Sequence, residues 1–133
     1  MNAETVWYLD SSAIVKLVAS ELETTALLTF LANRHPLISS ALATTEVHRA
    51  VLPLGDRFLR QAADVLAHIE LVRVSNEVLE GAGRLKPTSL RSLDAIHLAT
   101  AALFGITLSG IITYDGRMRD AAQSFGWSVH APA

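Results

Sequence analysis

Short apolar segments alternate with helical patterns along the whole 133-residue chain, and this alternation restricts the possible fold more than any other feature. Strands separated by one or more helices are typical of a parallel sheet that has helices on both faces. A globular chain of this length suits one domain and can bury roughly two-thirds of its unfolded surface. No internal repeat, low-complexity tract or linker interrupts the pattern. We therefore predict an α/β fold, with one domain over residues 1–133 and a parallel sheet of about four to five strands.

The hydrophobic spacing also predicts the approximate limits of each element. Pro and Gly residues mark several of the turns between the elements, as expected from their backbone preferences. The predicted strands cover residues 6–9, 37–39, 70–74, 110–114 and 127–130. The predicted helices cover residues 12–19, 21–33, 41–52, 58–69, 76–85, 91–104 and 117–125.

Composition excludes several classes of protein. The chain has no cysteine, so it has neither disulfides nor thiolate zinc sites, which fits a cytoplasmic location. The N-terminal region carries Glu4 and Asp10 and no basic run, unlike a secretory signal. Residues 95–114 lack Asp, Glu, Lys and Arg and have about the length of a membrane span. Because Gly105 and Gly110 interrupt this stretch, we interpret it as a helix, a turn and a strand, and expect a soluble protein with no membrane partner.

Net charge does not decide whether the protein binds nucleic acid. The formal charge of −2 lacks the strong basic excess of a simple electrostatic nucleic-acid binder. If four of the 13 acids bind metal ions, however, nine acids remain against 11 bases. Nine of those bases are arginine, whose planar side chain is suited to bidentate phosphate contact.

Two acidic residues directly follow predicted strands. Asp10 follows residues 6–9, where a helix N-cap worth about 1 kcal/mol is a sufficient structural explanation. Asp115 follows residues 110–114 and precedes a glycine, which is a common hairpin signal. The helical spacing of apolar residues in 117–125 contradicts a hairpin, so we place Asp115 at a strand-to-helix junction.

Two further acids lie on predicted helices. If Ser92 caps its helix, Asp94 lies in the first turn, where the helix dipole favours a negative charge by roughly 0.3–1 kcal/mol. Glu46 could form an exposed pair with Arg49, worth a few tenths of a kcal/mol. Neighbouring apolar residues such as Val47 indicate a substantially buried helix, on which a fully solvated Glu46 side chain is less favourable.

Taken together, the four acids suggest a metal site. In a doubly wound sheet the carboxyl ends of the strands meet at one edge, which would gather Asp10, Glu46, Asp94 and Asp115 there. Four neighbouring carboxylates cannot all stay ionised unless cations compensate their repulsion. Oxygen ligands without cysteine favour Mg²⁺ or Mn²⁺, and paired ions serve phosphodiester hydrolysis. We interpret His97 as a hydrogen-bonded core residue rather than as a ligand or general base.

Four segments carry a resemblance to a known family: YLDSSAIVKL, ALATTEVHRAV, LRSLDAIHLATA and ITYDGRMRDAAQSFG. Together and in this order they resemble PIN-domain proteins, specifically the VapC-type toxins of bacterial toxin–antitoxin pairs. The resemblance covers nearly the whole chain. It implies a Mg²⁺- or Mn²⁺-dependent endoribonuclease that is inhibited by a small VapB-like antitoxin whose tail covers the acidic pocket. It also implies a homodimer, which can join the antitoxin in a larger complex.

The resemblance assigns roles to individual residues. The family's acids match Asp10, Glu46, Asp94 and Asp115, of which Asp10 and Asp94 are the first choice as metal ligands. Glu46 and Asp115 would complete the site by direct contact, through water or by orienting the nucleophile. Supporting hydroxyls match Ser12 and Thr113. Arg49, Arg91, Arg117 and Arg119 are candidates for contacting RNA phosphates.

The predicted mechanism is attack of a metal-activated water on a phosphodiester in single-stranded RNA, which needs no protein nucleophile. Two other readings remain open. A phosphatase or phospho-receiver domain would use Asp10 as nucleophile, but Ser12 stands where such proteins have a second Asp. A non-catalytic interaction domain would use the acids only as helix caps. Mg²⁺-dependent RNA cleavage separates the three.

Overall fold

Five short strands form one parallel sheet in the computed structural model, which describes residues 4–133. The strands are β1 (Val6–Leu9), β2 (Leu37–Ser40), β3 (Glu70–Val72), β4 (Leu108–Ile112) and β5 (Val129–His130). The predicted α/β fold is therefore confirmed, with the larger of the two predicted strand numbers.

Seven α-helices connect the strands in the described chain, and each overlaps a predicted helix. They are α1 (Ser11–Val18), α2 (Thr24–Leu31), α3 (Leu42–Val51), α4 (Asp56–Leu66), α5 (Asn76–Ala82), α6 (Ser92–Ala102) and α7 (Gly116–Ser124). Short 3₁₀ turns follow α3 (Leu52–Leu54) and precede β4 (Gly105–Thr107). The prediction that a helix begins at Glu21 is wrong, because the Glu21 N–H donates to the Thr24 hydroxyl just before α2 begins.

The largest error among the predicted strands concerns β4, which was expected over residues 110–114 but covers Leu108–Ile112. Gly110 lies inside this strand and does not begin it. A Cβ atom at Gly110 would lie 3.0 Å from Trp7 Cζ3 and 3.2 Å from His130 Cδ2. The glycine is required because aromatic side chains on both neighbouring strands occupy the space above it. Three other strands have shifted limits: β2 ends one residue later at Ser40, β3 ends at Val72, and β5 begins at Val129.

The strand order is β3-β2-β1-β4-β5, and all strand pairs are parallel. From β1 the chain builds outward through β2 and β3, then crosses back to β4 and continues to β5. The connections that leave β1 and β4 therefore run in opposite directions. Ligand sites of open α/β sheets form at such a point, beyond the carboxyl ends of the two strands.

Helices cover both faces of the sheet, as predicted. Leu9 and its β4 partner Ile112 are fully buried against α1, α2, α3 and α4 on one face. Tyr8 and its partner Ile111 point to the opposite face, where α6 and α7 pack on them. This alternation follows from the two-residue repeat of a strand, and each such buried side chain contributes about 1.5–3 kcal/mol.

No helix within residues 4–133 is long and apolar enough to cross a membrane. The stretch of residues 95–114 without charged side chains divides into most of α6, a 3₁₀ turn and β4, as the sequence predicted.

Candidate active site

Asp10 lies at the end of β1 and caps α1, and its side chain is 2% exposed. Oδ1 accepts hydrogen bonds from the Ser12 hydroxyl at 2.6 Å and from the Ala13 N–H at 3.1 Å. Oδ2 accepts a short hydrogen bond from the Thr113 hydroxyl. Burial raises the pKa of Asp10, and the hydrogen bonds from Ser12, Thr113 and Ala13 oppose this only in part. Asp10 does cap α1, so that explanation is correct. Capping alone, however, does not require the carboxylate to be so deeply buried.

The hydroxyls of Ser12 and Thr113 join the turn after β1 to the turn after β4. Ser12 Oγ accepts a hydrogen bond from the Tyr114 N–H at 2.9 Å. Thr113 Oγ1 accepts one from the Asp115 N–H at 3.0 Å. Because both hydroxyls also donate to Asp10, we call them the hydroxyl clasp. The clasp fixes the two strand ends against each other and places Asp10 beside the start of α7.

Asp115 occupies the strand-to-helix junction that the sequence predicted. It is the N-cap of α7, and Oδ1 accepts hydrogen bonds from the Arg117 N–H at 2.8 Å and the Met118 N–H at 3.3 Å. Both bonds use Oδ1, so the helix N-terminus does not engage Oδ2. The hairpin alternative is wrong because α7 follows directly.

Asp94 lies in the first turn of α6, as expected, and is partly exposed. The expectation that Ser92 caps this helix is wrong: Arg91 is the residue before the first turn, and no side chain caps it. Asp94 and Asp115 line the same open cleft of about 370 Å³. The remaining lining residues are Arg91, Gly116, Arg117, Arg119 and Asp120.

The four acids share one electrostatic environment. Burial raises the pKa of Asp94, and the negative charge of Asp115 is the next largest cause. The charges of Asp10 and Glu46 raise it further, whereas His97 acts in the opposite direction. Three neighbouring carboxylates thus contribute to the raised pKa of Asp94, and a bound cation would offset their repulsion.

Glu46 reaches the site from the middle of α3. Its Oε1 accepts hydrogen bonds from the Ser11 hydroxyl and from His97 Nε2, both at 2.6 Å. Glu46 does not form the pair with Arg49 that would have explained it as a surface residue. Burial favours the neutral form, but the hydrogen bonds from His97 and Ser11 outweigh it and hold the pKa of Glu46 below its usual value. Glu46 is therefore ionised at neutral pH.

His97 is 1% exposed and connects Glu46 to the centre of the sheet. Its Nδ1 lies 2.7 Å from the hydroxyl of Tyr8, which is fully buried on β1. The interpretation of His97 as a hydrogen-bonded core residue is correct, but sequence reasoning missed its bond to a site carboxylate and missed Ser11 and Tyr8 entirely. The available signals were local: Ser11 follows Asp10, and His97 lies one helical turn after Asp94.

Three of the four candidate arginines lie near the acids. Arg91, Arg117 and Arg119 line the cleft that contains Asp94, and all three are exposed. Arg49 lines a different cleft on α3, together with Thr44, Thr45, His48, Leu52 and Leu59. The structure therefore separates Arg49 from the other three.

The acidic residues suit a hydrated cation better than an enclosed one. Within residues 4–133, no three His, Cys, Asp or Glu side chains converge closely enough to hold a metal ion by themselves. Mg²⁺ usually keeps several waters and uses one or two carboxylates plus substrate phosphates. Asp94 and Asp115 fit this description, since they share an open cleft and the charge of one raises the pKa of the other.

Comparison with known proteins identifies the family. The model of the PIN domain family matches residues 7–123. This chain belongs to the PIN-domain family. The PIN domain is 53% identical over 126 residues to "Ribonuclease VapC46" of Mycobacterium tuberculosis strain H37Rv, a match that covers 95% of this chain and 97% of that protein. It is 38% identical over 129 residues to "Ribonuclease VapC35" of the same species, covering 94% and 96% respectively. The resemblance to VapC-type PIN proteins is therefore confirmed.

Solved structures show the same PIN fold. M. tuberculosis VapC20, described as a Sarcin-Ricin loop cleaving toxin, superposes with a TM-score of 0.73 at 18% identity, over 86% of this chain and 94% of that one. A toxin–antitoxin complex from Klebsiella pneumoniae gives a TM-score of 0.72 at 23% identity, over 95% and 97%. At these identities the likeness establishes the fold alone.

Proposed function

We propose that this PIN-domain protein is the toxin of a toxin–antitoxin pair and acts as a Mg²⁺- or Mn²⁺-dependent endoribonuclease on single-stranded or loop RNA. The observation that carries the proposal is the shared electrostatic environment of four carboxylates beside the β1–β4 switch point. The names of the relatives, at 53% and 38% identity over nearly the whole chain, support ribonuclease chemistry.

The proposed metal ligands are Asp94 and Asp115, which line the open cleft, and Asp10, which the hydroxyl clasp holds at the adjoining strand end. These residues would hold a divalent ion, which would supply positive charge for the phosphate and lower the pKa of a bound water. Asp10 is the most rigid of the four, since three donors fix both of its oxygens. It would therefore set the position of the site, while Asp94 and Asp115 face the solvent.

Glu46 has a different proposed role because its hydrogen bonds hold its pKa below the usual value, whereas burial raises the pKa of Asp94. An ionised carboxylate can accept a hydrogen bond from the attacking water and orient it toward phosphorus. Arg91, Arg117 and Arg119 would bind the phosphates on either side of the cleaved bond by charge-assisted hydrogen bonds. Arg49 could reach only a more distant part of an RNA chain. Sequence preference would come from unstacked bases in a loop.

A partner antitoxin follows from the same proposal. The K. pneumoniae neighbour is described as a toxin–antitoxin complex, and it covers almost the full length of this chain. We propose that a VapB-like antitoxin covers the acidic cleft, that the toxin forms a homodimer, and that the pair acts in the cytoplasm.

The Asp-nucleophile alternative fits the structure poorly. Asp10 is 2% exposed and held by three hydrogen bonds, so it is poorly placed for the open, in-line approach that attack on a phosphoryl group needs. A domain whose acids serve only as helix caps accounts for Asp10 and Asp115, but not for Glu46 or for the raised pKa of Asp94.

The direct test is cleavage of single-stranded RNA by the purified protein in Mg²⁺, Mn²⁺ or EDTA. We expect cleavage with either metal, none in EDTA, and a loss of about 100-fold or more in Asp94→Asn. Asp64→Asn is the matched control, since it removes the same charge from an exposed position on α4. Failure to cleave with both metals, or an Asp94→Asn variant as active as the parent, would refute the proposed function. Equal cleavage in EDTA would refute its metal dependence alone.

A further inference from the structure

A buried hydrogen-bonded chain runs from the sheet to the candidate active site through Tyr8, His97 and Glu46. We infer that His97 is a positioning residue, which orients the Glu46 carboxylate toward the acidic cleft and is itself oriented by Tyr8. The inference rests on the proposed function because it assumes that Glu46 acts in the reaction.

Three separate elements contribute to this chain. Tyr8 lies on the central strand β1, His97 on α6 and Glu46 on α3. The Tyr8 hydroxyl lies 2.7 Å from His97 Nδ1, and His97 Nε2 lies 2.6 Å from Glu46 Oε1. Tyr8 and His97 are 0% and 1% exposed, so water does not compete for the bond between them.

The donor and acceptor of each bond follow from chemistry. The ionised Glu46 carboxylate can only accept at His97 Nε2, which leaves Nδ1 as the acceptor of a neutral ring and the Tyr8 hydroxyl as its donor. A neutral imidazole that accepts at Nδ1 carries its proton at Nε2. The Nε2–H then points at the ionised Glu46 carboxylate and makes a charge-assisted hydrogen bond. Tyr8 thereby selects the tautomer that can hold Glu46.

The consequence for Glu46 is that one oxygen is anchored and the other is left for the reaction. Ser11 and His97 both donate to Oε1, and neither uses Oε2. The Glu46 side chain is 24% exposed, so it is neither sealed in the core nor free in solvent. A flexible glutamate loses side-chain entropy when it is fixed in one rotamer. His97 and Ser11 impose that order before substrate binds, and they leave Oε2 without either of these bonds.

A double-mutant cycle tests this role. We expect His97→Leu to lower kcat on RNA by about 10- to 100-fold with KM changed less than about twofold. Glu46→Gln should lower kcat by at least as much, and His97→Leu added to it should cost less than about a further twofold, because His97 acts only through Glu46. A residue that merely maintains the fold would lower kcat by the same factor in both backgrounds.

Two conservative variants keep the test decisive if His97→Leu folds poorly. In His97→Gln the amide can still donate to Glu46, and we expect it to restore most of the lost kcat. Tyr8→Phe removes only the hydroxyl and should lower kcat by about three- to tenfold through the Glu46-dependent route alone. His68→Leu is the control, since its ring bonds only the Asp64 carbonyl on α4 and its kcat should match the parent.

A readout independent of catalysis separates this inference from the proposed function. In nitrogen NMR of the metal-free protein, we expect His97 Nε2 to carry a proton and its shift to change in Glu46→Gln. An Nε2 without a proton, or equal kcat losses from His97→Leu with and without Glu46→Gln, would overturn the positioning role. If the parent cleaves no RNA, the proposed function fails, and the NMR result still decides whether His97 holds Glu46.

Discussion

Replacing Thr113 by valine should destabilise the protein through a single hydroxyl group. Thr113 is 1% exposed, and its hydroxyl donates to Asp10 Oδ2 while accepting the Asp115 N–H at 3.0 Å. Valine has nearly the same shape, so the substitution opens no cavity. The cost therefore reports the hydrogen bonds of the hydroxyl clasp.

The magnitude follows from the charge of the acceptor. A hydrogen bond to a charged group contributes about 1.5–3 kcal/mol, against about 0.5–1.5 kcal/mol for a neutral pair. The Asp115 N–H is only partly buried and can bond to water instead, which adds little. We therefore expect Thr113→Val to lower the free energy of unfolding by about 2–3 kcal/mol at neutral pH. With a urea m-value of about 1–3 kcal/mol/M, the unfolding midpoint falls by roughly 0.7–3 M.

The cost should depend on pH with a defined sign. Burial raises the pKa of Asp10 in the folded protein, so the stability linked to Asp10 is fully present below its unfolded pKa and is lost as pH rises through its folded pKa. The Thr113 bond limits this loss by lowering the folded pKa. Without it the folded pKa of Asp10 rises further and more stability is lost. The penalty for Thr113→Val should thus grow from mildly acidic to neutral pH.

Urea unfolding in EDTA, followed by tryptophan fluorescence at a mildly acidic and at a neutral pH, measures this penalty. Thr100→Val is the matched control: Thr100 is also fully buried, but its hydroxyl donates to the Ile96 carbonyl within α6. Its cost should be below about 1 kcal/mol and independent of pH. Equal, pH-independent costs for the two variants would show that Thr113 does not stabilise an ionised Asp10.

Two further substitutions test the site and the sheet. Asp94→Asn should raise the stability of the metal-free protein by a few tenths to about 1 kcal/mol, since it removes a partly buried charge that Asp115 repels. Because the folded pKa of Asp94 is raised, the gain should grow as pH rises through it; a thermal unfolding midpoint unchanged at every pH would contradict this. Gly110→Ala should cost about 1–3 kcal/mol, because its Cβ would lie 3.0 Å from Trp7. Gly81→Ala on α5, where no atom lies within 4 Å, should instead stabilise by about 0.4–1 kcal/mol, and urea unfolding that ranks the two alike would refute the packing argument.

Local patterns were sufficient to predict the fold and the edge of the sheet where the acids lie. The strand ends before Asp10 and Asp115 follow from short apolar runs, and the parallel order of strands then places both residues together. The same patterns misplaced β4 by two residues, because Gly110 was taken as a strand boundary. Its real constraint comes from Trp7 and His130, which the chain brings alongside only after folding.

The hydrogen bonds that position the side chains of the site could not be predicted from the spacing of residues in the sequence. The bonds from His97 to Glu46 and Tyr8 join residues 51 and 89 positions apart, on elements whose rotations the sequence does not reveal. An apolar helix predicts that His97 is buried but not which polar group it meets. Spacing likewise does not reveal that α3 directs Arg49 into a different cleft from Arg91, Arg117 and Arg119.

The hydroxyl clasp has a consequence for the order of events during synthesis. Thr113 and Tyr114 reach Asp10 and Ser12 across 103 and 102 positions of the chain. The central strand β1 is made first, yet its neighbour β4 emerges only after three-quarters of the chain has been translated. Contacts between such distant positions form late, because a long loop must close before they give any stability. An incomplete chain on the ribosome already has the Ser12 and Ala13 donors to Asp10 but lacks the Thr113 donor, so Asp10 is fully held only after Thr113 has been synthesised.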